Sequence, residues 1–80
     1  MEIKKILEKN VSIEELILCL EKIKENGDSV IIKFDGDRLV DYYTIMIIFS
    51  NNNKEMIRVD GKDFKINLTE ALKKYLEHKE

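Results

Sequence analysis

Between Tyr42 and Phe49 the chain reads YYTIMIIF, and Thr44 is the only one of these residues outside the apolar set. A strand with one face on a core and the other in water alternates apolar with polar side chains. This stretch does not alternate, so a sheet built around it has two apolar-rich faces, and a single layer of helices covers only one. Something else must cover the second: another helix of the chain, or a partner.

Length limits the choices. A chain of 80 residues buries only about 60 to 65% of its unfolded surface, which predicts one domain over residues 1–80 with a modest core. With 44% hydrophobic and 38% charged residues, the chain is too apolar for a disordered segment and too charged for a membrane span. The formal net charge of -2 provides no general attraction to phosphate backbones, so nucleic acid is not the expected partner. The opening MEIKKILEKN lacks the apolar run and small-residue cleavage site of a signal peptide, which points to the cytoplasm. Cys19 is the only cysteine, so neither an internal disulfide framework nor a zinc knuckle is expected, and no cofactor. Twelve Ile, twelve Lys and six Asn against one Ala and no Pro reflect AT-rich codons, as in a low-GC bacterium or its phages.

Local patterns predict the elements. Ser12 with Glu15 three residues on forms a capping box, and Val11 can staple against Leu16. Ile13, Leu16, Ile17, Leu20 and Ile23 then recur at helical spacing until Asn26 and Gly27, predicting a helix over 13–25. Ile3, Ile6 and Leu7 suggest a short helix over 2–9. From Ser29 the period becomes two. SVIIKF reads as a strand closed by a tight hairpin turn at Asp35 and Gly36. RLVDYYTIMIIFS follows as a second strand, the loop at Asn51, Asn52 and Asn53 leads to EMIRV, and a two-residue turn at Asp60 and Gly61 leads to a short fourth strand, DFKI. Asn67, with Glu70 three residues later, is the expected cap of a last helix striped by Leu68, Ala71, Leu72, Tyr75 and Leu76. The predicted class is α+β: an antiparallel meander of three to four strands with N-terminal and C-terminal helices packed on it.

Pairing across a three-residue Asn loop sets Ile47 opposite Ile57 and Ile45 opposite Val59. The turn at Asp60 and Gly61 would bring Phe64 across from Ile57. One face then collects Tyr43, Ile45, Ile47, Phe49, Ile57, Val59 and Phe64 as the core. The other collects Tyr42, Thr44, Met46, Ile48, Met56 and Arg58, a mix of thioethers, an aromatic ring and a guanidinium. Either the helix at 2–9 folds over this face or the face docks a protein partner, a second copy or another protein, since Met, Tyr and Arg are enriched at interfaces. A slip of one residue would exchange the two faces.

Candidates for chemistry are few. His78, the single histidine, falls in the last turn of the final helix, where an imidazole interacts with the helix dipole. Cys19 lies on the flank of the first stripe with no histidine near it in sequence, as expected of a small buried hydrophobe. Asp35, Asp37 and Asp41 surround one turn, but lack the spacing and the closing Glu of a calcium loop. Together with Asp28 they are expected to form an acidic edge, with Asp41 sharing a row with Leu39 and Tyr43. No phosphate loop, nucleophile elbow or paired-carboxylate motif is present, so an enzyme is not expected.

One helix, three strands and a helix is also the element order of double-stranded-RNA-binding domains, which follow duplex shape through phosphate and sugar contacts. The final helix opens NLTEALKK, with Glu70 where such a domain needs bases. In size, α+β pattern and acidic turns the chain resembles small phage proteins that inhibit host defence, anti-CRISPR proteins among them. The expectation is therefore a small non-enzymatic protein-binding module that acts by surface occlusion. The alternatives are a nucleic-acid-binding or regulatory protein using Lys4, Lys5, Lys62, Lys65, Lys73 and Lys74, or a self-associating accessory protein.

Overall fold

The computed structural model describes Leu7 and residues 11–37, 39–40, 42–50 and 55–79. Their order is helix α1 (Ile13–Glu25), strands β1 (Ser29–Phe34), β2 (Tyr43–Ile48) and β3 (Met56–Gly61), and helix α2 (Phe64–Lys79). The three strands form one antiparallel sheet in the order β1-β2-β3. The class is α+β, as predicted. No helix among the described residues is long and apolar enough to cross a membrane.

Helix α1 begins as its capping box requires: Glu15 N–H donates to Ser12 Oγ at 3.2 Å, and Ser12 N–H to Glu15 Oε1 at 3.3 Å. It ends on a pair of backbone bonds, Asp28 N–H to Ile23 O at 3.2 Å and Gly27 N–H to Lys24 O at 2.9 Å, which together make the Schellman arrangement. That arrangement needs a left-handed residue, and Gly27 supplies it at φ 90°. Leu16, Cys19 and Ile23 are the buried residues of α1. The stripe is thus rotated from its predicted centre, and Ile13 and Ile17 are left exposed.

Pairing of β2 with β3 follows the predicted register, Ile45 with Val59 and Ile47 with Ile57. The first hairpin does not close at Asp35 and Gly36. Phe34 pairs with Tyr43, Asp35 N–H donates to Tyr42 O at 2.8 Å, and β2 starts at Tyr43 rather than at residue 38. A two-residue turn at Asp35 and Gly36 would set Val30 opposite Asp41 on the core side. The observed register sets Val30 and Ile32 opposite Ile47 and Ile45 instead, so apolar side chains meet across the strands. Asp35 still shapes the turn, its Oδ1 accepting from Asp37 N–H at 3.0 Å. Leu39, expected on the core face, is 90% exposed, and Asp41 lies outside the described residues.

The predicted fourth strand is the start of a helix. Asp60 and Gly61 do not form a turn but remain in β3, paired with Thr44 and Tyr43. Asp63 then caps α2, its Oδ1 accepting from Ile66 N–H at 2.9 Å. Phe64, Leu68, Ala71, Leu72 and Tyr75 follow at helical spacing, so the apolar stripe begins one turn before the predicted start. Asn67 is no cap. It is buried inside α2, and its Nδ2 donates to Tyr43 O at 3.2 Å.

Leu16, Cys19 and Ile23 from α1, Ile45, Ile47 and Phe49 from the middle of the sheet, and Leu68, Ala71, Leu72 and Tyr75 from α2 form one cluster, with Ile57, Val59 and Phe64 packed against it. Both helices therefore lie on one face of the sheet. Of the helix predicted over 2–9, only Leu7 falls within the described residues, and it packs against this same cluster.

Gly61 allows α2 to sit so close to β3, because a Cβ at Gly61 would run into the Asn67 carboxamide. Gly61→Ala is expected to lower stability by about 1 to 3 kcal/mol in urea unfolding, through displacement of that buried carboxamide from Tyr43. Gly36→Ala, with open space around the new methyl group, is expected to stay within about 0.5 kcal/mol of wild type.

Candidate protein-binding face

The sheet face opposite the helices is built from alternate residues of all three strands. Ser29, Ile48 and Met56 form one row, Ile31, Met46 and Arg58 the next, and Lys33, Thr44 and Asp60 the third. Tyr42 stands just beyond them, opposite Asp35. The predicted set of Tyr42, Thr44, Met46, Ile48, Met56 and Arg58 thus shares one face, and β1 adds Ile31 and Lys33. Sequence reasoning missed these two although even the expected two-residue turn gives Ile31 and Lys33 the parity of Thr44 and Met46; the signal, the alternation within SVIIKF, was not carried across the first hairpin.

The six predicted residues are not equally available. Tyr42, Met56 and Arg58 are exposed, and Met46 and Ile48 half-buried on the central strand. Thr44 is buried, and its hydroxyl donates to Asp60 Oδ1. Arg58 Nε donates to Asp60 Oδ2 at 3.0 Å and Nη2 to Oδ1 at 3.4 Å. The hydrogen bond and charge of Asp60 push the Arg58 guanidinium above its ordinary value, so it stays charged. Lys33 Nζ lies 3.4 Å from Asp35 Oδ2. The face is therefore an apolar strip of Ile31, Met46, Ile48 and Met56 bordered by charge at one end. The buried residues of both helices join the cluster on the other side of the sheet, so among the described residues no element lies over this face.

The predicted acidic edge is divided. Asp35 and Asp37 flank the turn after β1, whereas Asp28 precedes it, about 20 Å away by strand rise. Asp28 is buried: its Oδ2 accepts from Tyr75 Oη–H at 2.7 Å and its Oδ1 from Ser50 N–H at 3.2 Å. Asn26 Nδ2 donates to Tyr75 Oη at 3.0 Å. Burial pushes the Tyr75 phenol up to about 12, and Asp28 adds to this through its hydrogen bond and charge while the Asn26 bond opposes it. No local pattern announces this knot, since Tyr75 lies 47 residues from Asp28.

Cys19 is fully buried, and burial together with the Glu15 charge pushes its thiol up, away from the reactive thiolate. His78 stacks on Phe49 with ring centroids 3.9 Å apart, and its Nδ1 lies 3.1 Å from Glu55 Oε2. Among the described residues no group of three His, Cys, Asp or Glu side chains is placed to hold a metal ion.

No family model matches the chain, and comparison with curated proteins and with solved structures found no significant match.

The Tyr75 phenol makes stability depend on pH. Its proton is held in the folded protein up to about 12 but lost from the unfolded chain above 10.0, so the contribution is complete below that lower value and disappears as pH rises through the upper one. Denaturant unfolding should show a loss of about 2 to 3 kcal/mol across this window, given about 1.4 kcal/mol for each pKa unit. Tyr75→Phe should remove that part of the alkaline loss and cost about 1 to 3 kcal/mol at neutral pH, by withdrawing a buried donor from Asp28.

Proposed function

We propose that this protein is a small, non-enzymatic binding module that occupies a surface on a protein target, using the sheet face of Ile31, Met46, Ile48 and Met56 with Tyr42 and Arg58 at its margin. The observation that carries this reading is the uneven covering of the sheet. Two helices converge on one face, while a second face with exposed thioether, aromatic and aliphatic side chains has none over it among the described residues. Methionine adapts to irregular partner surfaces, and Tyr and Arg anchor interfaces. The non-enzymatic part is supported by the uses the candidate groups already have: Cys19 is core, His78 is stacked on Phe49 beside Glu55, and Asp28 is tied to Tyr75. Inhibition of a host defence protein in a bacterial cytoplasm, by occlusion of the target's surface, is the role such a module fits through its resemblance in size and pattern to phage inhibitors.

Charge substitution tests the face. Met46→Glu should melt close to wild type by circular dichroism and lose the protein that wild type captures from its native host. Ile47→Glu, at a position with no exposed surface, should unfold the chain, because an unpaired carboxylate in the core costs several kcal/mol, a large part of a small domain's stability. An unfolded Met46→Glu would mean that the face is covered in the native protein, and unchanged capture would move the binding site elsewhere.

A duplex-RNA-binding role is the second reading, favoured by the α-β-β-β-α order with both helices on one face and by the early start of α2, which puts Lys65 in its first turn and Lys62 just ahead of its cap. Asp63 and Glu70 stand beside them, and Lys4 and Lys5 lie outside the described residues. Binding to generic duplex RNA is expected to be about 10 µM or weaker at physiological salt. Submicromolar binding with a steep salt dependence would favour the second reading over the first.

A further inference from the structure

Strand β1 is an edge of the sheet, and its outer side is better suited to pairing than to water. Asp35 N–H points inward to Tyr42 O. By the alternation of an antiparallel ladder, Lys33, Ile31 and Ser29 also turn their backbone groups toward β2, and Val30, Ile32 and Phe34 turn theirs outward. Among the described residues no strand meets those outward groups. Soluble proteins blunt such edges with charge, proline or bulges. The opposite edge, β3, carries Arg58 and Asp60, whereas β1 has only Lys33, which is drawn to Asp35. Phe34, at the end of β1, is 65% exposed on the side that faces the core. Ile17 and Leu20 of α1 line an open groove beside Val30 and Ile32, so apolar surface continues from this edge onto the helix.

We infer that the outer edge of β1 is a homodimer interface, in which two copies pair β1 antiparallel about a two-fold axis at Ile32 to make one continuous six-stranded sheet. Only an even register joins outward residues to outward residues and keeps both pairs of helices on the same side. Centred on Ile32, the pairing sets Ile32 against the second copy's Ile32 and Val30 against its Phe34, so all three outward residues exchange backbone bonds. Lys33 then meets Ile31. Centred on Ile31, it would leave Phe34 unpaired; centred on Lys33, it would oppose two like charges. This self-complementarity favours a second copy over a foreign strand. The grooves at Ile17 and Leu20 join across the axis. The interface goes beyond the proposed binding face, since it uses the sheet edge and leaves Met46, Met56 and Arg58 uncovered.

Sedimentation equilibrium across a concentration series should show the mass rising from 9.5 kDa to twice that value. Hydrogen exchange needs no variant: the amides of Val30, Ile32 and Phe34 should be protected in concentrated protein and exchange in dilute protein, while those of Ile31 and Lys33 stay protected in both. Ile32→Cys should cross-link to a covalent dimer on oxidation, since directly opposed Cα atoms about 5.5 Å apart suit a disulfide. Ile31→Cys, offset from its own copy by two positions, should not, and the buried Cys19 should not compete. Ile32→Pro removes an N–H that no bond to β2 uses, along with a side chain at the sheet edge, and should yield a monomer that circular dichroism shows to be folded. A wild type that stays monomeric throughout would overturn the inference. So would a dimer in which the Val30, Ile32 and Phe34 amides exchange freely, or a foreign strand captured at this edge while the protein alone never doubles its mass.

Discussion

The structure depends on the parity of β2. Among the described residues it is the only strand paired on both sides, and its side chains alternate between two faces, so the position of Ile45 and Ile47 decides everything around them. With those two turned to the helices, Ile57 and Val59 follow from β3 and Val30 and Ile32 from β1, all on the same side. Leu16 and Ile23 of α1 and Leu68 and Leu72 of α2 then have a single apolar surface to meet. A shift of one residue would turn every one of these side chains toward the opposite face.

Packing of this kind brings layers together without specifying how far each helix slides. Polar contacts at the two ends of the sheet supply that. At one end Asn67 of α2 reaches the Tyr43 carbonyl over a glycine that leaves room for it. At the other, Tyr75 of the same helix donates to Asp28 immediately before β1, and Asn26 at the end of α1 donates to Tyr75. Each bond adds only about 0.5 to 1.5 kcal/mol net, but a buried group left without its partner costs about 1 to 3. The penalty for any other placement of α2 is thus larger than the bonds themselves, which makes these contacts devices of register more than of cohesion.

The surface follows from the same arrangement. Two helices cover one side of three strands, and an uninterrupted apolar run in the middle strand leaves Met46 and Ile48 on the other. Pairing about β1 would double that face without covering it, joining the two proposed binding surfaces in one sheet. The charged groups at its margin, Lys33 with Asp35 and Arg58 with Asp60, are held in place by neighbours close along the chain, and they border the apolar strip at one end.

By itself the sequence determined what depends on neighbours along the chain. The capping box at Ser12 and Glu15, the stop at Asn26 and Gly27, the β2-β3 register across the Asn loop and the sharing of one face by Tyr42, Met46, Ile48, Met56 and Arg58 were all legible, because each rests on a spacing of a few residues. Asp63 could have been recognised as a cap from its place ahead of Phe64, Leu68, Ala71 and Leu72; the second Asp-Gly pair, taken as a turn, concealed it. The tertiary structure alone decided three things. The first hairpin opens into a longer loop because Val30 and Ile32 find Ile47 and Ile45 across the strands, a preference that Asp35 and Gly36 cannot express locally. The acids separate because Asp28 is drawn to a phenol far along the chain. Both helices choose the same side of the sheet because Ile45, Ile47 and Phe49 make one buried surface large enough for two stripes, and that common choice leaves the second face without a helix among the described residues.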